Sequence, residues 1–315
     1  MRAVIVNDYG STPVVAEVPT PQPQAGQVLI RLIAAGMNPM DRTLASGDWR
    51  PMPAIFPMVL GADGAGVIEN VGGGATRFAV GQNVFGQLLI PPLGSAGTYA
   101  EYVAVTEDAP MTLVPDGFDP VVASALPTAG MAGLSLVEDA LGPLANKTVL
   151  IVGAGGGVGT FATQFAVDAG ARVIANVREA AADRMRGYGA EEIVDHTAMP
   201  IAETVQKAHP DGIDALLDVV SDADAFAELA SLVRPGGTAV TTQYVADTAA
   251  LEARDIVGIN FALQASAEIL DRLADAVLTG RIVAPPITRI SLDEVPTALS
   301  GTGARPIEGK TVITL

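Results

Sequence analysis

Residues 148–167, TVLIVGAGGGVGTFATQFAV, carry no charged side chain, and a run of about twenty such residues is long enough to cross a bilayer as a helix. The glycines exclude that. Gly153, Gly155, Gly156, Gly157 and Gly159 crowd the middle of the run, and glycine is the poorest helix former after proline. The pattern instead predicts a buried strand over Thr148–Val152, a tight glycine turn, and a helix that begins near Gly157. A strand–turn–helix of this kind receives the pyrophosphate of a dinucleotide. Glycine lets the backbone approach the phosphates, and the helix N-terminus presents unbonded N–H groups and the positive end of its dipole. The fingerprint reads Ala154-x-Gly156-x-x-Gly159, with Ala154 where the first glycine usually stands. A structural glycine turn without a nucleotide is the alternative. The helix end at Gly170 and the strand pattern over 172–177 supply the βαβ context that favours the nucleotide.

From Lys147 onward strand and helix alternate. Strands are expected at 148–152, 172–177, 192–195, 215–220, 238–242 and 256–261. Apolar-periodic helices lie between them, such as 223–233, which stops at the breaker Arg234-Pro235-Gly236-Gly237. Strands joined by crossover helices predict an α/β class, with a Rossmann doubly wound parallel sheet. Residues 1–118 read differently, as short strands at 3–6, 28–34, 66–71 and 99–105 broken by Gly and Pro turns, with a loop at 18–27. A helical stretch follows over 119–138, interrupted around Pro127, with Asp119 suited to its N-cap and Pro120 to its first position. The Pro-rich tail after Arg281 ends in a strand pattern at 311–315. The expected division is 1–118, with 282–315 returning to it, and 119–281.

At 315 residues two domains are a fair expectation, and a hydrophobic fraction of 49% suffices for their cores. A formal net charge of −17 repels phosphate backbones and anionic lipid, so neither nucleic acid nor membrane is an expected partner. The absence of cysteine excludes disulfides, thiolate zinc sites and a cysteine nucleophile. The N-terminus enters a strand pattern with no signal-like apolar segment, and a soluble, cytoplasmic protein is expected.

Five motifs occur in order: residues 61–86 (GADGAGVIENVGGGATRFAVGQNVFG), 97–105 (GTYAEYVAV), 125–137 (ALPTAGMAGLSLV), the Ala154 fingerprint and 234–240 (RPGGTAV). Together they resemble the medium-chain dehydrogenase/reductase superfamily, in its zinc-independent branch of quinone oxidoreductases related to zeta-crystallin. The resemblance covers nearly the whole chain. It implies a β-rich GroES-like substrate domain built from both chain ends, an intervening Rossmann domain, an active-site cleft between them, and homodimers paired through the edge of the Rossmann sheet.

Departures from the zinc-dependent relatives bear on the chemistry. The place of their zinc-binding Cys is held by Asn38 in GMNPMD, the relay hydroxyl by Met40, and the zinc-binding His by Ala62 in Gly61-Ala62-Asp63. Asn and Met do not reproduce a Cys/His shell, so no metal is expected. The expected chemistry is reduction of an activated acceptor, a quinone or an α,β-unsaturated carbonyl. Asn38 is the leading catalytic and substrate-binding residue, its amide donating to the acceptor oxygen; a turn Asn before Pro39 is the alternative. Asp41 stands beside the substrate site and is expected to cap a short helix over 42–45. Trp49, the sole tryptophan, either stacks on a planar acceptor or packs under the loop at 51–57. Tyr99 and Tyr102 read as structural.

For the cofactor, an NAD site usually ends its second strand with a carboxylate on the ribose 2′-OH. Here that place holds Val177, followed by Arg178, with Arg184 and Arg186 nearby. Arg178 suits a 2′-phosphate, so NADPH is expected, whereas Arg186 reads as an i,i+3 partner of Asp183. His196 either meets the adenosine end or is an exposed turn histidine, and His209 reads as a turn residue. The Ala154, Gly156, Gly157, Val158 and Gly159 turn is expected at the pyrophosphate. The family register further places Thr128, Thr241, Thr242 and Gln243 about the nicotinamide, with Asn260 and Phe261 closing the ring pocket. Three readings stand: an NADPH-dependent quinone reductase, an enoyl or alkenal reductase, and a dinucleotide-binding redox sensor or structural protein with little turnover.

Overall fold

Short strand patterns broken by Gly and Pro build the N-terminal part, in a computed structural model that describes residues 1–301 and 309–315. In order these are β1 (Arg2–Val6), β2 (Val14–Glu17), β3 (Gln27–Gly36), α1 (Pro39–Ser46), β4 (Met58–Val59), β5 (Asp63–Val71), β6 (Asn83–Gln87), β7 (Tyr102–Thr106), β8 (Met111–Leu113), α2 (Pro120–Ala123) and α3 (Pro127–Ser135). β3 is antiparallel to both β5 and β7. Its alternate side chains Val28, Ile30 and Leu32 are buried with Ile68, Val84 and Val103. Gly36, at the end of β3, needs its missing side chain: a Cβ there would lie 2.2 Å from the Ser124 carbonyl oxygen. This close approach fixes where Asn38 begins. Asp119 caps α2 as expected, accepting from the Val121 N–H at 2.9 Å.

The middle of the chain alternates: β9 (Thr148–Val152), α4 (Gly157–Asp168), β10 (Arg172–Asn176), α5 (Ala182–Gly187), β11 (Glu192–Val194), α6 (Ile201–Ala208), β12 (Ile213–Asp218), α7 (Ala223–Ala230), β13 (Val233–Thr241), α8 (Thr248–Glu252) and β14 (Val257–Asn260). The strands form one six-stranded sheet in the order β11-β10-β9-β12-β13-β14, every pair parallel. This is the doubly wound order, and the direction of winding reverses beside β9. The glycine turn therefore leaves β9 at the switch point, where such sheets take ligands. One expectation is corrected. Arg234-Pro235-Gly236-Gly237 does not separate helix from strand; α7 ends at Ala230 and the tetrapeptide lies inside β13. The sheet absorbs it through a register shift between Ile213 and Ala215, and Gly236 takes a φ of 81°.

The remaining elements are α9 (Ala267–Leu278), β15 (Ile287–Ser291), α10 (Val295–Ser300) and β16 (Lys310–Thr314). β16 runs parallel to β15 and antiparallel to β3, with Val312 opposite Gly36. The chain forms two units: Met1–Thr128 with Ala265–Leu278 and Ala284–Leu315, and Ala129–Gln264 with Thr279–Val283. This differs from the division at 118 and 281 expected from sequence. α2 packs on β3 and β5, and Asp271 of α9 accepts from the Thr112 hydroxyl of β8 at 2.5 Å, which ties 119–128 and 265–278 to the first unit. Of the returning segment 282–315, residues 302–308 lie outside the described residues. No helix among the described residues is long and apolar enough to cross a membrane.

Candidate active site

In the first unit a connected set of polar side chains is buried around Asn38. Asn38 leaves β3 in extended conformation and is the N-cap of α1, with Pro39 at the first helical position. The expected helix over 42–45 thus starts three residues earlier. Asp41 is its third residue rather than its cap, and its Oδ2 accepts the Asn38 backbone N–H at 2.7 Å. Asn38 is 5% exposed. Its Nδ2 donates to Asp63 Oδ2 at 2.8 Å and its Oδ1 accepts from Lys310 Nζ at 2.6 Å. Lys310 also donates to the Met37 carbonyl at 2.8 Å. Asp63 then grips Thr128, accepting its hydroxyl at 2.6 Å and its backbone N–H at 3.1 Å, and Gln87 Nε2 donates to the Thr128 hydroxyl oxygen at 2.7 Å.

Sheet register assembles this row. Asp63 opens β5 opposite Gly36 on one side and Gln87 on the other, and Lys310 opens β16 beside β3. A second branch leaves Asp41, whose Oδ2 accepts the Tyr99 hydroxyl at 2.5 Å. Two carboxylates and one ammonium thus lie together in a buried cluster. Burial pushes Asp41 up to about 7, against the Tyr99 and Asn38 hydrogen bonds. Burial also raises Asp63, opposed by the Lys310 charge and by Thr128. It lowers Lys310, opposed by the two carboxylates. The Tyr99 phenol is raised by burial and then by the Asp41 charge.

The donor chemistry here does not suit zinc. The ligating oxygen of Asn38 already faces an ammonium, Met40 and Ala62 offer no nitrogen or thiolate, and no cluster of three or more His, Cys, Asp or Glu exists among the described residues. Trp49, expected to stack or to pack, is 44% exposed, so it is not a core residue. Tyr9 and Phe56 meet edge to face, with ring centroids 5.0 Å apart.

The second unit holds the glycine turn. Gly156 is the N-cap of α4, and Gly157, Val158 and Gly159 form its first turn, whose N–H groups have no carbonyl within the helix to bond. Gly159 is compulsory, because a Cβ would lie 2.3 Å from the Gly153 carbonyl oxygen and 2.6 Å from Ala154 Cα. Ala154 is fully buried and donates its N–H to Asn176. The Asn176 amide ends β10 and also meets His196 Nδ1 at 3.2 Å, which places His196 at the end of that strand. Arg178 is exposed at the start of the next turn. Arg186 pairs with Asp183 at 2.9 Å, as the i,i+3 reading expects. Arg184 donates from Nη2 to the Gly155 carbonyl at 3.1 Å, while its buried Nη1 has no partner among the described residues. A glycine cradle and an orphaned guanidinium nitrogen fit a phosphate-bearing dinucleotide.

At the end of β13, Thr241 is buried and accepts the Gln243 N–H at 3.0 Å; Thr242 donates its N–H to the Asp218 carbonyl; Gln243 Nε2 donates to Val219 O at 3.0 Å. Phe261 is tied to Thr241 by a backbone hydrogen bond of 2.8 Å. Both ends of the Asn260 amide are taken by Ala246, so Asn260 anchors that loop.

Sequence reasoning missed Lys310, Asp63, Gln87 and Arg184 as site residues, and took Tyr99 as structural. One signal existed. Lys310 is one of only three lysines, and it opens an apolar strand, where an ammonium is seldom buried without a partner.

Residues 24–116 match the alcohol dehydrogenase GroES-like domain family and residues 157–279 the zinc-binding dehydrogenase family. A quinone oxidoreductase of Pongo abelii is 30% identical over 245 residues, covering 76% of this chain and 72% of the relative. A chloroplastic NADPH-dependent alkenal/one oxidoreductase of Arabidopsis thaliana is 27% identical, over 99% of this chain and 79% of the relative. The crystal structure of an alcohol dehydrogenase superfamily protein from Novosphingobium aromaticivorans superposes with a TM-score of 0.85 at 28% identity, over 100% of this chain and 99% of the other.

Proposed function

Because the chain belongs to the medium-chain dehydrogenase/reductase superfamily, we propose that it is an NADPH-dependent reductase that passes hydride to a quinone without zinc. The observation that carries this reading is the Asn38 amide, clamped between Lys310 and Asp63 where zinc-dependent relatives hold a metal ligand. An asparagine has two N–H donors on Nδ2, and the Asp63 contact uses one. The other donates to the acceptor oxygen as negative charge develops there. Trp49 stacks on the planar acceptor.

The nicotinamide cofactor supplies the hydride when bound. The turn from Ala154 to Gly159 takes its pyrophosphate, Arg178 and Arg184 its anionic groups, and His196 its adenosine end. Thr241, Thr242, Gln243 and Phe261 border the nicotinamide. Support for NADPH over NADH comes from the end of β10, where Asn176 is followed by Val177 and Arg178 with no carboxylate for a ribose 2′-OH. The substrate proton comes from solvent. Edge strand β14, with Val257 58% exposed, suits pairing with a second copy in a homodimer. The similarity to an alkenal/one oxidoreductase favours a second reading, reduction of an α,β-unsaturated carbonyl.

The test is oxidation of NADPH and NADH against a panel of quinones and enones. Turnover with quinones and NADPH is expected. A preference for enones selects the second reading. Cofactor binding with no turnover on either panel removes the reductase and leaves a dinucleotide-binding sensor or structural protein.

A further inference from the structure

We propose that Lys310 is a positioning residue that holds the Asn38 amide in one orientation and polarises it as a hydrogen-bond donor. This deepens the assignment of Asn38 and rests on it.

An asparagine amide has two nearly isosteric orientations, and its surroundings decide between them. Here the surroundings are charged on both sides. Lys310 Nζ lies 2.6 Å from Oδ1, and the Asp63 carboxylate lies 2.8 Å from Nδ2. Flipping the amide would set its NH2 against an ammonium and its oxygen against a carboxylate. The orientation is therefore fixed by two charge-assisted hydrogen bonds. An ammonium on the carbonyl also draws electron density from the amide nitrogen, and hydrogen bonds linked in this way strengthen one another at low dielectric.

The position of the lysine argues against a purely structural role. β16 is already registered on β3 by Val312, Ile313 and Thr314, and an apolar side chain at 310 would fill the strand position without burying an ammonium. Lys310 is 4% exposed, so its charge is bought at a desolvation cost, and among the described residues its ammonium bonds only Asn38 and the Met37 carbonyl. Asp63 serves both ends of the arrangement, since it also fixes Thr128.

A double-mutant cycle on the full chain tests this, with cofactor Kd, kcat and melting temperature measured for wild type, Lys310→Met, Asn38→Ala and the double variant. Lys310→Met is expected to lower kcat roughly ten- to a hundredfold with cofactor Kd unchanged, and to cost nothing further when Asn38 is already Ala. Losses that multiply in the double variant overturn the proposal. Lys310→Met leaves the buried Asp63 carboxylate without its nearby positive charge, so Asp63→Asn/Lys310→Met serves as the folded control. It should regain melting temperature and remain slow, and a regain of wild-type kcat also overturns the proposal.

A second readout needs no turnover. The Asn38 side-chain N–H pair, observed by NMR with 15N-asparagine, should shift and begin to flip in Lys310→Met. Unchanged resonances overturn the positioning role whatever the kinetics. If the resonances respond but Asn38→Ala keeps full turnover, the role of Asn38 as donor fails while Lys310 still holds the amide.

Discussion

Arg178 and Arg184 both follow β10, and they differ in burial and in bonding. Arg178 is exposed and available to a 2′-phosphate. Arg184 is bonded to Gly155 of the turn and carries a buried nitrogen that lacks a partner among the described residues, which costs free energy until an anion meets it. Arg178→Ala should therefore weaken NADPH by about 1.5–3 kcal/mol and leave NADH nearly unchanged. Arg184→Ala should weaken both cofactors, because it also loosens the turn. Titration of each variant with both cofactors checks this; equal losses in Arg178→Ala would assign that residue to the fold. The sequence made Arg178 visible because its evidence is local, a missing carboxylate at a strand end. Lys310 was not visible because its partner, Asn38, lies 272 residues away. Asn38 itself was legible as a position, whereas its clamp required the sheet.

Among the elements, β9, its glycine turn and α4 were readable because each step has a local cause: an apolar run, obligatory glycines, a helix N-terminus. Gly159 is the tightest of these. Its Cβ would meet the Gly153–Ala154 backbone, and backbone does not swing away. Gly159→Ala is expected to cost about 1–3 kcal/mol of stability. It should also weaken dinucleotide binding at least tenfold, read by melting curve and cofactor titration. A variant with wild-type values of both would mean that the turn relaxes freely. The same local reasoning failed at β13. Arg234-Pro235-Gly236-Gly237 has the composition of a breaker, but the sheet tolerates it as extra residues of β13 that bulge between the Val233 and Thr238 pairings with β12. It failed again at α1, where Asp41 looks like a cap until Pro39 is seen to start the helix. Propensity marks the ends of elements within a few residues, and tertiary pairing sets the rest.

For the whole molecule, the buried charges make stability depend on pH in a defined sense. Asp41 has a folded-state pKa raised to about 7, so the folded protein keeps a proton that the unfolded chain releases. Stability from this group is fully present below about pH 4 and is lost as pH rises to about 7. Asp63 acts in the same direction. Lys310, lowered by burial, acts oppositely at alkaline pH, where the unfolded chain keeps the proton longer. The melting temperature should fall between about pH 4.5 and 7.5, and Asp41→Asn should flatten that slope. Slopes are compared because surface carboxylates contribute equally to both proteins. An unaltered slope in Asp41→Asn would place the titrating proton elsewhere.

The most direct test of the central claim is quinone-dependent NADPH oxidation by protein stripped with a chelator, with its metal content read by elemental analysis. The Asn38–Lys310–Asp63 arrangement predicts no stoichiometric zinc and the same turnover before and after stripping. Stoichiometric zinc whose removal abolishes turnover, and whose return restores it, would contradict the account.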